Sequence, residues 1–75
     1  MPRLRKISGK KCIKALSKMG FVSVRQHGSH VVMAKDTPDG RIGTVVPLHR
    51  ELKIGTLKGI LEKAGIDEEE FVKYI

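Results

Sequence analysis

The chain has 75 residues and a formal net charge of +7, from 15 Lys and Arg against 8 Asp and Glu. A chain this short is expected to form one domain, residues 1–75, with a thin core, which excludes a deep two-lobed catalytic cleft. Its 40% hydrophobic content is enough for a compact fold and argues against disorder. The single cysteine excludes an internal disulfide, and no apolar run approaches membrane-spanning length. We therefore expect a cytoplasmic protein.

The basic charge is concentrated in the first half of the chain. Residues 1–35 carry nine Lys and Arg and no acid, whereas residues 36–75 carry six basic and eight acidic residues. A one-sided basic half is the usual signature of a polyanion binder. We expect nucleic acid rather than a membrane surface, because the basic helix described next lacks the aromatic anchors of an interfacial helix.

The first predicted helix begins at Ser8, a favoured N-cap residue, and ends at Gly20, in the position typical of a helix C-terminus. Apolar side chains at a spacing of about 100° per residue share one arc, which contains Cys12, Ile13, Ala15, Leu16 and Met19. The opposite side carries a lysine stripe, formed by Lys10, Lys11, Lys14 and Lys18. The pattern predicts a helix that packs on one side and presents lysines to solvent on the other.

Strand-like composition follows at residues 21–27, 29–35 and 41–46. A dense turn signal covers residues 36–40, and Pro47 ends the third strand. Short loops between strands predict an antiparallel meander. The buried face of the second strand stays undecided from sequence, because residues 31–34 are apolar throughout.

A second helix is predicted over about 55–64, after an irregular connection at 48–54. Asp67 has capping-box spacing to Glu70 at the start of a short terminal helix. The order α-β-β-β-α, with this short extra helix, predicts an α+β two-layer sandwich with helices on one sheet face. That is the layout of double-stranded-RNA-binding domains, and it leaves the other sheet face open.

Two of the three histidines, His27 and His30, flank the Gly28-Ser29 link between predicted strands. Histidine is the side chain best suited to proton transfer near neutral pH. A base that takes the proton from a ribose 2′-OH lets this oxygen attack the adjacent phosphorus, without a metal ion or a deep pocket. From spacing alone, a histidine beside a glycine turn is more often a plain surface residue.

No metal or other cofactor is predicted. His27 and His30 have the spacing of two ligands, but no cysteine pair or nearby carboxylate completes a set. Cys12 lies on the apolar arc of its helix and is expected to be a small core residue.

The start of the first helix is a candidate phosphate site. Ser8 and Gly9 offer a helix N-terminus with free N–H groups, beside the lysine stripe. The stripe is then a candidate track for RNA phosphates, although a solvated helix face is the plainer interpretation.

Several segments together resemble the HicA toxin family, also called the YcfA-like family. They are Ser-Gly-Lys at 8–10, Lys-Met-Gly-Phe at 18–21, Gly-Ser-His at 28–30, Val-Pro-Leu-His at 46–49 and Gly-Thr-Leu-Lys-Gly-Ile-Leu-Glu-Lys-Ala-Gly-Ile at 55–66. Their order and spacing across almost the whole chain make the resemblance specific. It implies a double-stranded-RNA-binding-like fold, ribosome-independent cleavage of mRNA, and a HicB-type antitoxin that covers the active site.

The resemblance places the histidine of the Gly-Ser-His pattern on His30, which becomes the predicted catalytic residue. His27 has no such counterpart, and His49 matches a recurring family histidine without an assigned role. The predicted RNA contacts are Ser8, Gly9, Lys10, Lys11, Lys14, Arg25, Gly28 and Ser29. Relatives often place an aromatic residue, which could stack a base, shortly after the histidine, whereas residues 31–33 here are Val, Val and Met.

Two functions follow from the sequence. The first is a toxin that cleaves mRNA with a catalytic histidine, and the second is a non-catalytic RNA-binding module that uses the same basic surface. The Gly-Ser-His turn favours the nuclease, and the missing aromatic favours the binding module. A purely structural interaction protein fits the charge asymmetry least well.

Overall fold

A computed structural model describes residues 3–75. The first helix, α1 (Gly9–Lys18), is capped by Ser8, whose side-chain oxygen accepts a hydrogen bond from the Lys11 N–H at 3.0 Å. The chain leaves the helix through Gly20, whose φ of +98° is a conformation that residues with a Cβ rarely adopt. Both predicted ends of the helix are therefore confirmed.

Three antiparallel strands form a sheet in the order β1-β2-β3. They are β1 (Val22–His27), β2 (His30–Thr37) and β3 (Gly40–Pro47). The turn between β1 and β2 contains Gly28 at a φ of +57°, and the turn before β3 uses Gly40 at +125°. The pairing of β1 with β2 shifts between Ser23 and Arg25, so that Val24 forms a bulge. The predicted meander is confirmed.

The second helix, α2 (Ile54–Ala64), is followed by a short helix α3 (Glu68–Phe71) and a 3₁₀ turn (Val72–Tyr74). The order α-β-β-β-α with a short C-terminal helix confirms the predicted α+β fold. The predicted capping box at the start of α3 does not form, because the Asp67 side chain makes no capping hydrogen bond. The Asp67 carbonyl instead accepts from the Glu70 N–H at 3.1 Å. No helix within residues 3–75 is long and apolar enough to cross a membrane.

The core lies between the helices and one face of the sheet. Val31 and Met33 of β2 are buried in it, together with Leu16 of α1 and Leu57 of α2. Since side chains alternate along a strand, Val32 and Ala34 belong to the other face, which we call the open sheet face. The structure thus resolves which face of β2 is buried, a question that the apolar composition of the strand had left undecided.

One buried hydrogen bond ties α2 to the sheet. Thr44 of β3 is 3% exposed. Among residues 3–75, it is the one polar residue that is buried. Its hydroxyl donates to the Ile60 carbonyl oxygen of α2 at 3.0 Å. A buried hydroxyl without a partner would be costly, so this bond fixes where α2 lies along β3.

Thr44→Val is expected to lower the free energy of unfolding by about 1 kcal/mol, because it removes this hydrogen bond at little change in volume. Urea unfolding followed by circular dichroism measures the change. The control is Thr56→Val at an exposed position of α2, which should alter stability by less than about 0.5 kcal/mol. Equal effects of the two substitutions would contradict a specific role for the bond.

Candidate active site

Three segments that are distant in the sequence meet around His30. The Leu48 N–H donates to the Ser29 carbonyl oxygen at 2.6 Å, and the Gly9 N–H donates to the His49 carbonyl oxygen at 2.9 Å. A third bond joins the chain just before α1 to the chain just before α2: the Leu52 N–H donates to the Ile7 carbonyl oxygen at 2.7 Å. The 47–49 segment, Pro47–His49, therefore connects the start of α1 to the turn that carries His30.

Gly9 has no room for a side chain. A Cβ at this position would overlap the Pro47 carbonyl oxygen and lie 3.0 Å from the Leu48 Cα. Both contacts are with backbone, which cannot rotate away as a flexible side chain could. The start of α1 and the 47–49 segment are thus packed as closely as two backbones allow, and glycine is required there for steric reasons.

His30 is the first residue of β2 and is exposed. It pairs with His27 of β1 on one side and with Pro47 of β3 on the other. It also borders an open cleft of about 240 Å³ between β3 and α2, which we call the His30 cleft. The other lining residues are Thr44, Val45, Pro47, Thr56, Gly59, Ile60 and Lys63. An imidazole in this position is accessible to a large substrate such as an RNA strand.

The start of α1 differs from its predicted form. The Gly9 N–H is bonded to His49 and the Lys11 N–H to the side chain of Ser8, so two of the first three N–H groups of the helix already have partners. The expectation of a helix end with free N–H groups is therefore corrected, since a tertiary contact and the cap use them. The side chains of Lys10, Lys11 and Lys14 are exposed and remain available to a polyanion.

The predicted RNA contacts fall on two layers of the molecule. Arg25 is exposed and pairs with Val32, so it belongs to the open sheet face. There it lines a groove of about 650 Å³ together with His27 and Arg41. The lysine stripe lies on the outer side of α1, in the helical layer. The structure brings Ser8, Gly9, Gly28 and Ser29 close to His30 through the 47–49 segment, but it does not bring Arg25 together with the lysines.

Helix α2 contributes residues to the His30 cleft that were not among the site residues predicted from the sequence. Thr56, Gly59 and Lys63 line the His30 cleft. One signal could have drawn attention to them, since a glycine in the interior of a helix costs about 1 kcal/mol relative to alanine. That this glycine lines the cleft depends on the tertiary contact between α2 and β3, which no local pattern predicts.

The other histidines occupy different surroundings. His27 lies opposite His30 and faces the open-sheet groove, and His49 is exposed while its carbonyl oxygen accepts from Gly9. In the part of the chain that the structure describes, no group of three or more His, Cys, Asp or Glu side chains is arranged to hold a metal ion.

Cys12 is fully buried in the core, as its position on the apolar arc predicted. Burial raises the pKa of the Cys12 thiol to about 12, because the charged thiolate loses its hydration inside the protein. A neutral, enclosed thiol is unsuited to act as a nucleophile.

The family model described as HicA toxin of bacterial toxin-antitoxin matches residues 9–66, well over half of the chain. The chain belongs to the HicA toxin family, which confirms the resemblance found in the sequence. Membership implies an antitoxin partner. Comparison with curated proteins gives no match.

Gly9→Ala is expected to destabilise the protein by about 1–3 kcal/mol, because the added methyl group forces the 47–49 segment away from α1. Gly59→Ala serves as the control, since a Cβ there meets nothing within 4 Å and alanine favours a helix. This second variant should be more stable than the wild type by about 0.5–1 kcal/mol in urea unfolding. A Gly9→Ala protein as stable as the wild type would contradict the close packing.

Cys12 is expected to resist alkylation in the folded protein. The raised pKa lowers the thiolate fraction at pH 8 to about one part in ten thousand, and only the thiolate reacts. Iodoacetamide labelling followed by mass spectrometry should therefore be at least about a hundredfold slower without urea than in urea. Similar rates in the two conditions would show that the thiol is accessible.

Proposed function

We propose that this protein is an endoribonuclease that cleaves mRNA without a metal ion, with His30 as the general base or acid. The observation that carries the proposal is the position of His30, exposed at the edge of an open cleft and held by the hydrogen-bonded 47–49 segment. An accessible proton-transfer group on a rigid support is what strand cleavage requires of so small a protein.

The reaction follows from the chemistry of RNA. His30 takes the proton from a ribose 2′-OH, and the 2′-oxygen attacks the neighbouring phosphorus. The bond from phosphorus to the 5′-oxygen breaks, and this oxygen takes a proton from water as it leaves. The phosphate remains as a 2′,3′-cyclic ester. Negative charge that develops on the phosphate oxygens is stabilised by nearby cationic side chains.

The remaining predicted residues have supporting roles in this proposal. Gly28 and Ser29 shape the turn that presents His30, and Ser8 and Gly9 support this turn through the 47–49 segment. Lys10, Lys11 and Lys14 attract the RNA backbone to the molecule. The antitoxin implied by the family is proposed to be of the HicB type and to cover the surface around His30.

A non-catalytic RNA-binding module is the second candidate. The separation of Arg25 from the lysine stripe favours it, because two basic surfaces on different layers suit a large structured RNA. The absence of an aromatic residue just after His30 also fits binding to an RNA backbone rather than to a splayed base.

The deciding experiment compares RNA cleavage by the wild type, His30→Ala and His27→Ala in the presence of a metal chelator. His27→Ala is the matched control, because it removes an exposed histidine that pairs directly with His30. The wild type and His27→Ala should cleave, and His30→Ala should lose at least about a hundredfold in rate while RNA affinity changes little.

Each other outcome has a distinct meaning. Cleavage by all three proteins would point to contamination or to another catalytic group. Tight RNA binding without cleavage by any of them would favour the binding module. Parallel loss of binding and cleavage in His30→Ala would make His30 a contact or folding residue.

Replacing Lys10, Lys11 and Lys14 together by Gln is expected to flatten the salt dependence of RNA affinity by roughly 2 in log–log slope, because three phosphate contacts are lost. Fluorescence anisotropy at several salt concentrations measures the slope. The control replaces the exposed Lys53, Lys58 and Lys73, which removes the same charge from the second half of the chain. Identical slopes for the two triple variants would place the RNA track on another surface.

A further inference from the structure

We propose that the His30 cleft binds one sugar–phosphate unit of the RNA at the cleaved bond, and that Lys63 of α2 contacts its phosphate. The inference rests on the proposed function and adds a substrate site to it. It adds the junction of β3 and α2 to the RNA contacts predicted from the sequence, which lie at α1, at Arg25 and in the 28–29 turn.

The shape of the cleft fits this occupant. Its volume of about 240 Å³ lies below the ~300–1,000 Å³ typical of pockets that enclose a whole ligand. One unit of an RNA backbone can therefore enter while its base stays outside. Val45 and Pro47 form an apolar wall suited to a ribose, and His30 stands at the rim of the same cleft.

Gly59 keeps the cleft open on the helix side. It lies in the interior of α2, and a Cβ at this position would meet nothing within 4 Å. Packing against a neighbour therefore does not require glycine there, and helix stability disfavours it. Room for a bound sugar–phosphate unit explains both the open space around Gly59 and the presence of a glycine in the interior of a helix.

Lys63 supplies the positive charge that a bound phosphate needs. It is exposed, in the last turn of α2, and lines the same cleft as His30. The ion pairs found within residues 3–75 join Lys6 to Glu51, Arg41 to Asp36 and Lys73 to Glu70, and none of them uses the Lys63 ammonium. A phosphate beside His30 would thus meet a cation that forms no ion pair with the described residues.

The walls of the cleft are fixed relative to each other before RNA arrives. The hydrogen bond from Thr44 to the Ile60 carbonyl oxygen joins β3 to α2 directly beneath the cleft, and Ile60 is itself buried. The lysine stripe lies on the outer side of α1 and is left to attract the flanking phosphates.

The first test compares Gly59→Gln with Gly55→Gln. Both residues lie in α2 with open space around them, but Gly55 does not line the cleft. Gly59→Gln should be at least as stable as the wild type in urea, since glutamine favours a helix, yet cleave RNA at least about tenfold more slowly. Gly55→Gln should cleave at the wild-type rate.

The second test replaces Lys63 by Gln and by Arg. Lys63→Gln is expected to lose about tenfold to a hundredfold in cleavage rate, and Lys63→Arg to retain most of it because the charge is kept. Full activity in both Gly59→Gln and Lys63→Gln, with His30→Ala inactive, would overturn the inference and leave the proposed function standing.

A binding measurement separates the inference from the cleavage reaction. Addition of a 2′-O-methyl RNA oligonucleotide, which offers no 2′-OH to attack, should shift the amide NMR signals of His30, Gly59 and Lys63. This result would support the cleft as an RNA site even if the wild type did not cleave. Shifts confined to the lysine stripe or to the Arg25 side of the sheet, or no binding at all, would overturn it.

Discussion

The contact between Gly9 and the 47–49 segment is the constraint on which the rest of the site depends. A hydrogen bond from Gly9 to His49 and backbone packing against Pro47 fix this segment at the start of α1. The segment in turn supports the turn between β1 and β2, because the Leu48 N–H donates to the Ser29 carbonyl oxygen. A residue with a side chain at position 9 would separate these three pieces, and His30 would lose its support.

A chain of 75 residues has little core with which to build a pocket, and this protein places its candidate chemistry at an edge instead. The helices cover one face of the sheet, so the open sheet face and the His30 cleft stay accessible. The cost of this arrangement is low, because exposed charged and polar groups keep their hydration. Membership of the HicA toxin family implies that this chain has an antitoxin partner.

Much of the fold could be predicted from the sequence, because local signals determine it. Ser8 and Gly20 mark the ends of α1, glycines mark the turns, and the helix periodicity places Cys12 and Leu16 in the core. The buried face of β2 could not be predicted, since an apolar strand carries no alternation. The capping box at Asp67 was predicted wrongly, because the spacing of side chains does not guarantee that a turn uses them.

The candidate site could be predicted only in part. His30 was selected through the resemblance of its Gly-Ser-His turn to the HicA toxin family, because spacing alone does not distinguish it from a plain surface histidine. The closed N-terminus of α1 and the presence of α2 residues in the His30 cleft depend on contacts between distant segments, such as Gly9 with His49 and Thr44 with Ile60. The spacing of residues along the chain does not predict such contacts. The lysine stripe of α1 is visible in the sequence, so the predicted RNA contacts include α1 residues and none from α2.

The central claim is that a proton-transfer group at His30 activates the ribose 2′-OH. Its most direct test is the chemistry of the product ends after cleavage of a defined RNA by the wild-type protein. Products with a 2′,3′-cyclic phosphate and a free 5′-OH, and no cleavage when the ribose at the cleaved bond lacks its 2′-OH, are the predicted result. Products with a 5′-phosphate and a 3′-OH would contradict it, because they require water rather than the ribose as the nucleophile.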